Sequence, residues 1–314
     1  MATHESLHKV TENIGKVIVG KEKLIEFVLT ALLAEGHVLL EDVPGTGKTR
    51  LAKALAASLD ADFSRIQFTP DLLPADVTGL NVYDQAKSEF VLRKGPVFTN
   101  ILLADEINRA TPRTQAGLLE CMEEKQVTID GVSHSLEEPF FVMATQNPVE
   151  TSGTFPLPEA QMDRFVMKLS MGLPNAKEEL KILETYMDKD PLAELSSVMT
   201  TAELMELREQ AAKVYVHLNV QEYLVALVQK TREEGKALMG VSPRGSLAML
   251  RCMKAYAFMQ GRNYCIPDDV KTLAVPVLAH RLVLNYGYSR PKEAEQLIEA
   301  ILAELVVPTE DFTK

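Results

Sequence analysis

Two glycines, a lysine and a hydroxyl lie together in Pro44-Gly45-Thr46-Gly47-Lys48-Thr49. An apolar run, His37 to Leu40, leads into this turn, and a helical pattern, Arg50 to Leu59, follows it. Strand, glycine loop and helix N-terminus in that order form the context in which backbone N–H groups ring a phosphate. Gly45 and Gly47 tolerate the φ values such a ring requires. Lys48 can then reach the β- and γ-phosphates, and the Thr49 hydroxyl suits Mg²⁺. The segment predicts a nucleoside triphosphate site. One position departs from the pattern, because the spacing G-x-x-x-x-G-K-[ST] puts its first glycine at Asp42. That glycine only eases the entry into the loop, so the change is expected to matter little.

Four further segments carry side chains suited to the same chemistry. Ile101-Leu102-Leu103-Ala104-Asp105-Glu106 is an apolar strand ending in two acids. Beside a phosphate loop, Asp105 could orient the Mg²⁺ shell and Glu106 could polarise an attacking water. The pattern alone also describes a strand end meeting solvent, and its place downstream of Lys48 favours the first reading. Phe141 to Asn147 is another apolar strand with a polar tip. Asn147 could hydrogen-bond a γ-phosphate or the water, or could simply open an Asn-Pro turn. Arg164 closes the short helical stretch Pro158 to Asp163. It is either a solvated charge or an arginine finger, a device worth roughly 10³–10⁵ in rate. Ser242-Pro243-Arg244 opens a later helix, with Ser242 suited to the N-cap and Pro243 to the first helical position. Arg244 opposes the helix dipole there, which points to a nucleotide phosphate, with a solvated Arg as the alternative.

The elements that must position these groups alternate through the first half of the chain. Strand patterns fall at residues 37–40, 63–68, 100–104, 140–145 and 166–170, with helical patterns at 21–34, 48–59 and 113–124 between them. Such alternation predicts an α/β fold, a parallel five-stranded sheet with helices on both faces. Ligands bind at the carboxyl ends of the strands in sheets of this kind. The phosphate loop, Asp105 and Asn147 should therefore converge. Two inserts read as hairpins, Asn81–Phe98 and Lys125–Glu138, the second around Asp130-Gly131. From Leu173 onward the pattern is helical, without strand alternation, and Pro267 and Pro276 fall near helix starts or kinks. A boundary near Gly172 divides the chain into a nucleotide-binding core, residues 1–172, and an all-α domain, residues 173–314.

Composition narrows the function classes. A chain of 314 residues with 46% hydrophobic residues can bury a sizeable core in two domains. No apolar run is long enough to span a bilayer, and Met1 to Lys9 does not read as a signal peptide. The three cysteines are scattered, as small hydrophobes in a reducing cytoplasm would be. The net charge of −11 argues against holding nucleic acid by a strong phosphate field. His4-Glu5-Ser6-Leu7-His8 matches H-E-x-x-H, the spacing of zinc proteases. A catalytic zinc needs a third ligand that no nearby segment supplies, so the stretch reads as a solvated first helix.

Taken in order, the phosphate loop, Phe68 to Gly79, Gly95 to Phe98, Leu103 to Ala110, Ala144 to Pro148 and Leu157 to Phe165 resemble the MoxR family of AAA+ ATPases. The match is dense from Gly20 to Leu173, and the helical remainder is similar to that family's lid domain. The resemblance implies an ATP-hydrolysing protein that uses ATP and Mg²⁺. It places Gly45, Thr46, Gly47, Lys48 and Thr49 on Walker A, and Asp105 and Glu106 on Walker B. Asn147 falls on sensor 1, Arg164 on the arginine finger, and Arg244 on sensor 2, acting in cis or in trans. Ile18, Val19 and Gly20 fall where such proteins contact adenine through the backbone. It further implies a cytoplasmic homo-oligomeric ring, a hexamer, with chaperone-like action on partner proteins, often ones with von Willebrand factor A domains. Motors on nucleic acid and metal-chelatase motor subunits share the architecture and stand as alternatives.

Overall fold

The computed structural model describes residues 2–148, 153–233, 235, 237–284 and 291–313. Helices α1 (Ala2–Gly15) and α2 (Glu22–Leu33) precede the first strand, β1 (Val38–Glu41). Helix α3 (Lys48–Ser58), strand β2 (Phe63–Gln67) and a short α4 (Pro74–Thr78) follow. A hairpin, β3 (Gly79–Asp84) and β4 (Glu89–Lys94), leads to β5 (Ile101–Asp105) and α5 (Pro112–Glu124). A second hairpin, β6 (Gln126–Ile129) and β7 (Val132–Ser135), precedes β8 (Phe141–Gln146). Helix α6 (Glu159–Met162) and β9 (Met167–Leu169) close the core. The five-stranded sheet is parallel throughout, as the alternation predicted, and its strand order is β2-β5-β8-β1-β9.

Strands β5 and β8 are buried nearly end to end, as strands covered on both faces must be. Side-chain alternation sorts them into two apolar layers. Ile101, Leu103, Phe141 and Met143 join the layer that holds α1, α2 and α3, while Leu102, Ala104, Val142 and Ala144 join the one that holds α5.

The second half comprises α7 (Ala176–Thr185), α8 (Thr201–Ala212), α9 (Leu218–Glu233), β10 (Ala237–Met239), α10 (Pro243–Met259), α11 (Pro267–Leu278), β11 (Val283–Leu284) and α12 (Pro291–Glu304). The first apolar layer runs on without a break into this half, through Met249, Met253, Leu273 and Ile298. Across the junction, Lys23 Nζ donates to Tyr256 Oη at 2.6 Å, and the buried Arg208 donates to the Leu32 carbonyl at 3.0 Å. The lid is thus seated on the core by buried contacts.

The lid is helical, as expected, and carries in addition one short antiparallel pair, β10 with β11. Two- and three-residue strands are too short to show a period. The first helix is not simply solvated. Leu7, Val10 and Ile14 are fully buried, at the i, i+3, i+7 spacing of one helix face. The metal-like spacing lies on its other side, where Glu5 pairs with Lys9 at 3.1 Å and His8 with Glu12 at 3.8 Å. The His4 side chain lies outside the described residues. Among the described residues no helix is long and apolar enough to cross a membrane. All three cysteines are buried, and burial pushes each thiol up to about 12.

His37, just before β1, ties the sheet to α5. Its Nδ1 accepts the Val142 N–H at 3.0 Å, so Nε2 carries the proton donated to the Met122 carbonyl, also at 3.0 Å. Burial pushes this imidazole from 6.5 down to about 4, and burial lowers His280 in the same sense. Between those values the unfolded chain binds more protons than the folded one. Stability should therefore fall as pH drops from about 6.5 towards 4, by up to about 1.4 kcal/mol per pH unit for each such histidine. Urea unfolding at pH 7 and pH 5, with imidazole NMR of His37, checks this. A His37 that protonates near pH 6.5 without loss of stability would overturn it.

Candidate active site

The phosphate loop leaves β1 at Glu41 and enters α3 at Lys48. Gly45 and Gly47 have φ of 85° and 99°, in the left-handed region that favours glycine. A Cβ at Gly45 would meet nothing within 4 Å, so its backbone faces open space. Lys48 Nζ lies over the loop, donating to the carbonyls of Asp42 at 2.9 Å and Val43 at 3.1 Å.

The Asp42 side chain carries more than the sequence suggested. Its buried carboxylate accepts from Ser170 Oγ at 2.7 Å, Met171 N at 2.7 Å and Gly172 N at 3.0 Å. These donors lie just past β9. A glycine here would leave all of them without this acceptor. Asp42 therefore fastens the start of the phosphate loop to the segment that follows β9.

Asp105 ends β5 beside the loop, and Glu106 follows it. Thr145, fully buried on β8, bridges them. Its hydroxyl donates to Asp105 Oδ1 at 2.6 Å and accepts the Glu106 N–H at 2.8 Å. That second bond helps hold Glu106 at φ 56°, a conformation unusual for a non-glycine residue. Arg65 on β2 donates to Asp105 Oδ2 at 2.7 Å and 3.2 Å. Gln67 and Arg109 donate to Glu106 Oε2 at 2.7 Å and 3.0 Å. Sequence reading missed Arg65, Gln67, Arg109 and Thr145. The detectable signal was the polar pair two apart in Arg65-Ile66-Gln67, which puts both side chains on one face of β2.

These groups line a cleft of about 600 Å³ together with Asn147, which is buried. Val17, Ile18, Val19, Ile182 and Tyr186 supply apolar lining, from the turn after α1 and from α7. Tyr186 Oη donates to the Val17 carbonyl at 2.9 Å, so α7 is stapled to that turn. A cleft with cationic and carboxylate groups beside the loop and apolar lining elsewhere matches a flat base bearing a polyphosphate. Thr49 and Asp105 both line it and offer the oxygen donors Mg²⁺ prefers. Gly20 does not line it. A Cβ there would stand 2.5 Å from Glu178 Cγ, so it makes a tight left-handed turn behind Val19.

The two remaining arginines gather elsewhere. Neither Arg164 nor Arg244 lines the cleft. Both pair with Glu123 near the end of α5, Arg164 Nε at 3.1 Å and Arg244 through its guanidinium. Asp163, beside Arg164, accepts from Arg281 Nε at 2.7 Å and from the α10 N-cap Ser242 at 3.2 Å. As expected, Ser242 and Pro243 cap and open α10.

A P-loop sheet of this order with a helical lid defines the class of AAA ATPases. Residues 37–167 match the ATPase family associated with various cellular activities, and residues 229–305 match the AAA lid domain. Among full-length relatives, protein YeaC of Bacillus subtilis is 49% identical, over 99% of this chain and 98% of its own. Chaperone MoxR1 of Mycobacterium tuberculosis is 41% identical, over 96% of this chain and 82% of its own. A crystal structure of a Cytophaga hutchinsonii protein described as an ATPase superposes with a TM-score of 0.89 at 40% identity, covering 98% and 96%. The chain belongs to the MoxR family of AAA+ ATPases.

Substitutions at two positions probe the site. Lys48→Ala should abolish nucleotide binding by calorimetry, since it removes the charge held over the loop. Thr145→Val keeps the shape but strips Asp105 and the Glu106 N–H of a buried partner. It should slow nucleotide turnover about ten- to hundredfold, while Thr145→Ser should retain most of it. Equal rates in the valine and serine variants would show that the bridge is not needed.

Proposed function

We propose that the protein hydrolyses ATP as a homo-oligomeric ring, of six copies as the resemblance implies, and uses the cycle to remodel or mature partner proteins in the cytoplasm. The carrying observation is the division of the site. Binding groups and the Glu106 carboxylate share one cleft, while the Arg164 and Arg244 guanidiniums gather outside it on one carboxylate. Division of this kind supports a cleft completed by the arginines of a neighbouring copy.

Lys48 and the amides of Gly45 to Lys48 bind the phosphates. Thr49 and Asp105 would hold Mg²⁺, which when bound neutralises phosphate charge. Glu106 takes proton density from the attacking water, and Asn147 orients that water against the γ-phosphate. Val19 packs on the base. Arg164 of the adjacent copy meets charge that develops in the transition state, with Arg244 beside it. A protein with a von Willebrand factor A domain is the partner we favour, on the family resemblance and on the chaperone designation of the Mycobacterium relative.

Glu106→Gln should bind ATP yet fail to turn it over, and should accumulate an ATP-bound oligomer in size-exclusion chromatography with light scattering. Near-normal turnover would place the base elsewhere. Arg164→Ala should bind ATP normally and lose turnover by orders of magnitude. Mixing it with Lys48→Ala should restore part of the activity at interfaces where an intact cleft meets an intact arginine. No recovery in mixed oligomers verified by native mass spectrometry would overturn the shared site.

A further inference from the structure

Glu123 stands in the last turn of α5, where a helix dipole disfavours an acid. Arg244 stands in the first turn of α10, where the dipole disfavours a base. Each is misplaced on its own helix and matched by the other. Arg164, from the segment between α6 and β9, takes the second oxygen of the same carboxylate. Two guanidiniums held this close repel unless an anion lies between them. The arginines come from different domains, Arg164 from the core and Arg244 from the lid. A parallel contact runs beside them, since Asp163 of the core accepts from Arg281 and Ser242 of the lid. Arg281 is buried, so this second contact anchors the lid, whereas the Glu123 cluster is partly exposed, Arg244 most of all.

We propose that Glu123 is a positioning residue that assembles Arg164 and Arg244 into one paired cation presented to the neighbouring copy's nucleotide. The inference rests on the shared-site reading above and deepens it. Glu123 touches no nucleotide. It offsets the repulsion between the arginines, and it makes the pair conditional on the lid being seated, because Arg244 reaches Glu123 only when α10 is docked against the core. Lid position in one copy thereby sets the rate of hydrolysis in the next.

Glu123→Ala and Glu123→Gln are the test, with ATP turnover, nucleotide affinity and thermal melting measured on the full chain. A half-exposed ion pair adds little to stability, so both variants should melt close to wild type. Both should bind ATP within about twofold of wild type and lose at least about tenfold in kcat, the scale of a charge-assisted contact. Glu123→Ala mixed with Lys48→Ala should regain activity, because its own cleft is intact and needs only a neighbour with ordered arginines. Added to Arg164→Ala plus Arg244→Ala, the substitution should cost nothing further. Unchanged or raised kcat in both Glu123 variants, with Arg164→Ala still inactive, overturns this inference and leaves the shared site standing. Full activity of Arg164→Ala overturns the shared site itself. A kcat loss that mixing cannot rescue, or that persists undiminished in the arginine-free background, assigns Glu123 a role within its own cleft and also overturns the inference.

Discussion

Parallel pairing is the constraint on which the rest depends. Because β1, β5 and β8 run the same way in adjacent register, their carboxyl ends open on one edge of the sheet. The phosphate loop, the Asp105–Glu106 pair and the Thr145–Asn147 segment arrive there from distant parts of the sequence. One hydroxyl then binds two of these strands into a single instrument. Thr145 holds the Asp105 side chain and the Glu106 backbone at once. A shift of one residue between β5 and β8 would turn Thr145 to the opposite face and dissolve the bridge.

A second set of contacts joins the cleft to the segments that follow the sheet. Asp42 ties the first turn of the phosphate loop to Ser170, Met171 and Gly172. Tyr186 ties α7 to the turn that carries Val19. Both contacts connect the segment after β9, through α7, to the walls of the cleft. Further along the chain, Ser242 and Arg281 meet Asp163, and Arg244 meets Glu123. The segment after β9 thus touches the cleft, and the lid touches the arginine cluster.

The core fold was legible because its signals are local. Apolar runs marked the sheet strands to within a residue or two, and glycine loops and caps marked the helix starts. The lid's two short strands were not legible, since a strand of two or three residues has no period to detect. Nor was the packing of α1, whose polar H-E-x-x-H spacing overlaps the buried Leu7, Val10, Ile14 face in sequence.

The sequence by itself determined which groups could bind a phosphate and activate water, because loop glycines, Lys48, Thr49, Asp105 and Glu106 carry that chemistry in their types and order. Only the tertiary structure decided their partners. Arg65 meets Asp105 and Gln67 meets Glu106 across a strand pair whose register no local pattern specifies. Asp42 looked like a tolerated lapse in a motif until its buried carboxylate proved to have three donors. Arg164 and Arg244 are far apart in sequence and belong to different domains, yet they share Glu123. Side-chain type is a property of one residue, whereas a hydrogen bond between distant segments exists only once packing has brought them together.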